Sequence, residues 1–256
     1  MSALEIHQFP CLSDNYGVLI HDAKAGLTAS IDAPDAAAVE KALAHKDWTL
    51  THILTTHHHG DHTAGNAPLK AKYGCTIVGP RNEAARIPGI DIAVGEGDTY
   101  QFGAFAARVL DTPGHTAGHI SYWIPAASVA FVGDTLFAVG CGRLLEKGPD
   151  VMWPSLQKIM ALPPETIIYC GHEYTAANAK FALTIEPENL ALQERVSDIA
   201  ALRAAGRPTL PTRLDLELAT NPFLRPSSPA IQARLGMAGR PLWEIFGEIR
   251  ARKDRG

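Results

Sequence analysis

The run Thr56-His57-His58-His59-Gly60-Asp61-His62 places four imidazoles and a carboxylate between positions 57 and 62. These are the nitrogen and oxygen donors that divalent transition metals take. The run follows Thr51-His52-Ile53-Leu54-Thr55, a β-branched and apolar stretch that reads as a buried strand. In extended backbone alternate side chains share a face, so His57 and His59 point together with Asp61 in phase. His62 falls where a polar loop gives way to a helical segment, Ala64–Tyr73. The chemistry on offer is metal coordination, with donors for more than one ion. A histidine-rich tract can also be a solvated loop, but simple enrichment would not set an aspartate in the frame H-x-H-x-D-H at a strand end.

Three later segments each end a strand with a further donor. Pro113 and Gly114 force a tight loop after the strand ending at Leu110, which would project His115. Asp134 follows Gly133 beyond the strand at Val129, and His172 follows Gly171 beyond Ile167-Ile168-Tyr169-Cys170. A single aspartate after a strand is commonly a turn or helix cap. Four polar strand ends converging on one rim of a sheet system are what a metal centre needs.

The elements that must position these groups come in two textures. Up to residue 172, strands at 17–20, 27–31, 52–55, 76–78, 105–110, 120–124, 129–132 and 166–170 alternate with helices at 35–44, 64–73 and 150–161. From Glu173 to about Ala205 the pattern is helical, interrupted at Pro187. A Pro-rich passage follows, then an amphipathic helix over 241–253. The division expected is therefore a catalytic domain over 1–172 and a helical domain over 173–256.

A chain of 256 residues with 46% hydrophobic and 20% charged residues has the composition of a globular enzyme. A net charge of −4 gives no basic footprint for nucleic acid. Cys11, Cys75, Cys141 and Cys170 form no C-x-x-C pair and read as reduced residues of an intracellular protein. The first residues show no secretory signal, and no apolar stretch reaches membrane-spanning length. The expectation is a cytoplasmic monomer acting on a small molecule, without nucleic-acid or membrane partners.

The set T-H-H-H-G-D-H, T-P-G-H-T-A-G-H, V-G-D-T and G-H-E-Y resembles the metallo-β-lactamase superfamily. Within it, Tyr169–Thr175, Asn221-Pro222-Phe223-Leu224-Arg225 and Arg250-Ala251-Arg252-Lys253-Asp254 resemble the glyoxalase II (hydroxyacylglutathione hydrolase) family. The fold this implies is α+β, a four-layer αββα metallo-β-lactamase sandwich with a C-terminal helical domain. The resemblance also implies a two-metal site. His57, His59 and His115 would hold one ion, Asp61, His62 and His172 the other, and Asp134 would bridge them. Zn²⁺ is the ion such donors suit first, with Fe or Mn admitted. His58, out of phase, and His119 are read as supporting residues rather than ligands.

The implied reaction is hydrolysis of an S-(2-hydroxyacyl)glutathione, typically S-D-lactoylglutathione, to glutathione and D-lactate in methylglyoxal detoxification. A hydroxide bridging the two ions would attack the thioester carbonyl, oriented by Asp61. The thiolate is a tolerable leaving group that needs little acid assistance, and no serine or cysteine nucleophile is required. Arg250 and Lys253, three apart on a helix, share a face and would clamp the carboxylates of glutathione. Arg143 and Tyr174 match further positions that contact the tripeptide. Leu145 stands where many family members carry an aromatic residue, and Lys147-Gly148-Pro149 also departs from the usual turn. The alternative is another superfamily enzyme, such as a persulfide dioxygenase or a lactonase. A dioxygenase needs one iron with an open position, whereas the full donor set here suits two ions.

Overall fold

Hydrophobic periodicity sets the first half of the chain. In the computed structural model, which describes residues 3–256, two compact units form. One comprises the described residues up to Asp111 together with Thr116–Gly133; the other comprises Thr112–His115 and Asp134–Gly256.

The first unit opens with β1 (Glu5–Cys11), β2 (Asn15–Asp22) and β3 (Leu27–Ile31), followed by α1 (Ala36–Lys46) and β4 (His52–Leu54). Next come the single turn α2 (Gly60–Thr63), α3 (Asn66–Tyr73), β5 (Thr76–Pro80), a 3₁₀ turn over Arg81–Arg86, and β6 (Ile92–Val94). The six strands form one mixed sheet in sequence order, antiparallel from β1 to β3 and parallel from β3 to β6. Parallel pairing puts the carboxyl ends of β3, β4 and β5 on the same rim, where ligands bind in sheets of this kind.

Asp35 caps α1 by accepting the Ala38 N–H at 2.7 Å, and Asp47 ends the helix in the left-handed region. Val39, Ala42 and Leu43, at i, i+3 and i+4, bury the helix against Leu19, Ile53, Leu69 and Ile77. Each such large side chain contributes about 1.5–3 kcal/mol on burial.

The unit is completed by β7 (Thr99–Phe102), β8 (Phe105–Asp111), β9 (Ile120–Ile124) and β10 (Val129–Phe131), paired as an antiparallel meander. Tyr122, fully buried on β9, donates to the Thr55 carbonyl at 2.9 Å and so fixes the end of β4 from the meander side.

The second unit holds a short hairpin, β11 (Leu136–Phe137) and β12 (Gly140–Cys141), then α4 (Pro149–Met160), β13 (Ile167–Tyr169), α5 (Thr175–Ile185) and α6 (Leu190–Ala204). The two-residue β14 (Thr212–Arg213) pairs with β13, and α7 (Leu214–Thr220), α8 (Pro229–Leu235) and α9 (Leu242–Arg255) follow. Between α5 and α6 the chain breaks around Pro187, as expected, and Asn189 caps α6 by accepting the Leu192 N–H.

Ala179, Ala182, Leu192 and Ile199 close α5 and α6 over Val139 at the hairpin turn. Below them Glu217, fully buried, pairs with Arg195 and accepts the Val139 N–H at 2.9 Å, fixing that turn.

The α+β class and the helical C-terminal stretch agree with the sequence. Three details differ from it. The helix expected over 64–73 runs over 66–73 as α3, and a separate turn, α2, precedes it, so His62 lies within α2 instead of in the loop before a helix. The extended phase that was to align Asp61 with His57 and His59 stops at His59, because Gly60 starts that turn. The strands β1 and β7 carry too many polar residues to give an apolar run and β6 is only three residues long, and they form because neighbouring strands pair with them.

Candidate metal centre

Asp32 directly follows β3 with φ at 55°, a left-handed conformation that aspartate tolerates. Its Oδ1 accepts the Thr56 N–H at 2.7 Å, and its Oδ2 accepts the Thr56 hydroxyl at 2.8 Å. The same Oδ2 stands 2.8 Å from His62 Nδ1. A buried carboxylate there holds the proton on Nδ1 and leaves the Nε2 lone pair for another partner. The Ala33 N–H, donating to the His62 carbonyl at 2.8 Å, holds the backbone of the same turn.

His57, fully buried after β4, has Nδ1 3.0 Å from the Thr56 hydroxyl. Its Nε2 faces His59 Nδ1 at 3.2 Å. Two nitrogens bound at about 2.0–2.1 Å to one tetrahedral ion stand about 3.3 Å apart, so this pair is set at the spacing of two ligands of one ion. Asp61 lies on α2 with 44% of its side chain exposed, and its Oδ2 is 3.8 Å from His62 Nε2. Asn15 anchors it by donating to the Asp61 carbonyl at 3.1 Å. The first unit therefore gathers His57, His59, Asp61 and His62 as the sequence implies.

The second unit gathers the remaining donors. Asp134 Oδ2 lies 3.5 Å from His115 Nε2 and 3.3 Å from His172 Nε2. Both separations match two ligands sharing one ion, and one carboxylate oxygen makes both. All three side chains are buried. His115 Nδ1 is 3.0 Å from the Arg143 carbonyl, the kind of backbone acceptor that fixes a ligand histidine. His172 stacks on Tyr174 with ring centroids 4.7 Å apart and planes 3° from parallel. Gly142 has to be glycine, since a Cβ there would lie 1.9 Å from the Asp134 carbonyl oxygen.

The cysteines take no part as nucleophiles. All four are free and buried. Burial pushes the Cys141 thiol up to about 11 and raises that of Cys170 still further, so both stay protonated at neutral pH.

The four residues expected to bind substrate fall differently. Arg143 is exposed and Tyr174 is 36% exposed. Arg250 is 4% exposed, with Nη1 donating to the Cys141 carbonyl at 3.0 Å and Nη2 paired with Asp254 at 2.7 Å. It thereby grips the chain two residues before Arg143. Lys253 is half-buried on α9 with its ammonium 5.2 Å from the Phe181 ring centroid. Burial, and then the neighbouring Arg250 charge, lower its pKa.

Sequence reasoning missed Asp32 and Glu83. Asp32 directly follows the strand-like segment Leu27–Ile31, as Asp134 and His172 follow theirs, which is the signal that could have found it. Glu83 follows β5 by three residues, and only its burial identifies it. His58 Nδ1 is 2.7 Å from Glu83 Oε2, and the His119 ring stacks on that of His57.

The chain is similar to known proteins along nearly its whole length. Residues 25–172 match the model of the metallo-β-lactamase superfamily, and residues 173–256 match that of the hydroxyacylglutathione hydrolase C-terminus. A hydroxyacylglutathione hydrolase of Brucella anthropi is 60% identical over 98% of this chain and 96% of its own. That of Brucella ovis is 60% identical over 98% of both. Among solved structures, ETHE1 from Myxococcus xanthus superposes with a TM-score of 0.67 at 27% identity, covering 98% of this chain and 99% of that one. A metallo-β-lactamase from Staphylococcus aureus gives 0.66 at 22% identity over 98% of this chain and 71% of its own, a likeness of fold.

Proposed function

The chain belongs to the hydroxyacylglutathione hydrolase family of the metallo-β-lactamase superfamily, and from that premise we propose a centre of two divalent ions serving thioester hydrolysis. It is a hydrolase of S-(2-hydroxyacyl)glutathione, with S-D-lactoylglutathione the typical substrate and glutathione and D-lactate the products. The observation that carries this is identity at 60% across nearly the whole chain, together with the match of residues 173–256 to the hydroxyacylglutathione hydrolase C-terminus. That segment favours the glutathione thioester over a lactone or a persulfide.

In the proposed site His57, His59 and His115 would hold one ion, Asp61, His62 and His172 the other, and Asp134 would serve both. The spacing of His57 from His59 and those of Asp134 from His115 and from His172 support it. Zn²⁺ is the metal proposed, with Fe or Mn chemically admissible. Such ions, when bound, supply Lewis acidity towards the thioester carbonyl and bring the pKa of water towards neutrality.

The rest is the work of side chains. Asp61, with its partly exposed carboxylate, orients the attacking water and accepts its hydrogen bond. Departure of the thiolate needs little acid assistance, and the protonated cysteines offer no competing nucleophile. Arg143, Tyr174, Arg250 and Lys253 are proposed to recognise glutathione. Arg250 would act from its buried position and Lys253 as the accessible cation for a carboxylate.

We assign the catalytic segment to residues 1–172 and the substrate segment to 173–256, supported by the ranges of the two family matches. No helix among the described residues is long and apolar enough to cross a membrane. The free cysteines support a reducing compartment, and a cytoplasmic monomer is proposed. The purified chain assayed against S-D-lactoylglutathione, a lactone and a β-lactam tests the substrate class. Preference for the thioester by orders of magnitude is expected; equal or better turnover of the lactone would overturn it.

A further inference from the structure

Glu83 lies on the 3₁₀ turn after β5, is 3% exposed, and touches two loops of the first unit. Its Oε2 accepts the His58 backbone N–H at 2.9 Å and stands 2.7 Å from His58 Nδ1. Its Oε1 accepts the Gly118 N–H at 2.8 Å. The His58 peptide joins His57 to His59, so the contact fixes the backbone between the two facing nitrogens. Gly118 precedes His119, whose ring stacks on His57 at 4.8 Å and 27°. One carboxylate thus braces the donor pair from its own loop and from the ring packed behind it.

The approach is close. A Cβ on residue 118 would lie 2.7 Å from Glu83 Cγ and 2.8 Å from Asn82 Cβ, so only glycine admits this contact. A carboxylate removed from water is costly unless both oxygens are satisfied. Here both are satisfied only while the two loops keep these positions, which couples the charge to the loop conformation. A carboxamide cannot replace it, because its NH₂ would face a second donor, either the Gly118 N–H or the His58 N–H.

We propose that Glu83 is a positioning residue that holds His57 Nε2 and His59 Nδ1 at the separation one ion requires. The inference rests on the metal-centre reading. A carboxylate that served the fold alone would change the thermal midpoint of the metal-free protein and leave ion affinity untouched. One that sets the donors changes the affinity for one ion of two.

The test titrates Zn²⁺ into the full-length, metal-free chain against a chromophoric chelator, with circular dichroism to establish that each variant is folded. In Glu83→Gln one of the two ions should bind about 10–100-fold more weakly, the usual effect of losing a partner that orients a ligand, while the other is unchanged. Gly118→Ala, which keeps the carboxylate but pushes it away, should give the same selective loss. His58→Ala keeps the backbone N–H and should weaken the ion less than Glu83→Gln.

Folded Glu83→Gln and Gly118→Ala proteins that bind both ions as tightly as the unaltered chain would overturn the proposal. If Glu83→Gln does not fold, Gly118→Ala decides the matter. If neither folds, and Zn²⁺ does not restore them, the carboxylate serves the fold and the proposal fails. Fewer than two ions in the unaltered chain would overturn the metal-centre reading itself, a separate result from any difference between variants.

Discussion

Asp32 and His62 meet through a buried 2.8 Å contact between Oδ2 and Nδ1. The aspartate sits at the carboxyl end of β3 and the histidine on α2, thirty residues later, so a parallel sheet edge decides which imidazole nitrogen faces the proposed centre. Asp32→Asn keeps the size of the group but loses the charge that holds the Nδ1 proton. It should weaken binding of one ion by about 10–100-fold. Competition with a chelator, read beside the thermal midpoint of the metal-free form, measures this; unchanged affinity would show that the contact serves packing alone.

Asp134 Oδ2 sits at ligand spacing from both His115 and His172. Asp134→Ala should therefore lower occupancy of both positions, and turnover by about 100-fold or more, as when a group stabilising the transition state is removed. Metal analysis of the purified variant provides the check. Two retained ions per chain would refute the bridging role.

Much of this centre was legible in the sequence, and the reason is geometric. Strand alternation brings His57 and His59 together, and glycine-preceded donors mark Asp134 and His172 at strand ends. The rest was not legible because it depends on pairing distant in sequence. Nothing local distinguishes Asp32 or Glu83 from a turn acid; their burial against residues 24 to 35 positions away is what gives them a role. Arg250 reads as a cation that shares a helix face with Lys253 and would meet a carboxylate of the substrate. It is instead buried against the Cys141 carbonyl, 109 residues earlier, which no periodicity reports.

That difference separates the two cations of α9. Lys253→Ala should raise KM for S-D-lactoylglutathione about 10-fold, equivalent to about 1.4 kcal/mol, with kcat and the thermal midpoint unchanged. Arg250→Ala should raise KM and also cost about 1.5–3 kcal/mol of stability, because a charged donor to a buried carbonyl is lost. Steady-state kinetics with denaturant unfolding distinguish them; an unaltered KM in both would remove α9 from substrate recognition.

The buried thiols give a pH dependence of defined sign. Cys11 and Cys141 are raised from the ordinary value of 9.0 to about 11, with burial the main cause. A raised folded pKa means the folded chain holds its proton longer than the unfolded one. The stability from this source is complete below about pH 9 and is lost as pH rises towards about 11. Thermal midpoints across pH 8 to 11 should fall, and Cys141→Ala should flatten the slope. A midpoint that rises over this window would contradict the assignment.

The central claim is that thioester hydrolysis depends on ions held by these donors. The most direct measurement follows hydrolysis of S-D-lactoylglutathione by the full-length chain before chelation, after removal of all metal, and after Zn²⁺ is returned to two ions per chain. Activity should disappear with the metal and return in step with the second ion. Turnover that persists in the metal-free, folded chain would contradict it.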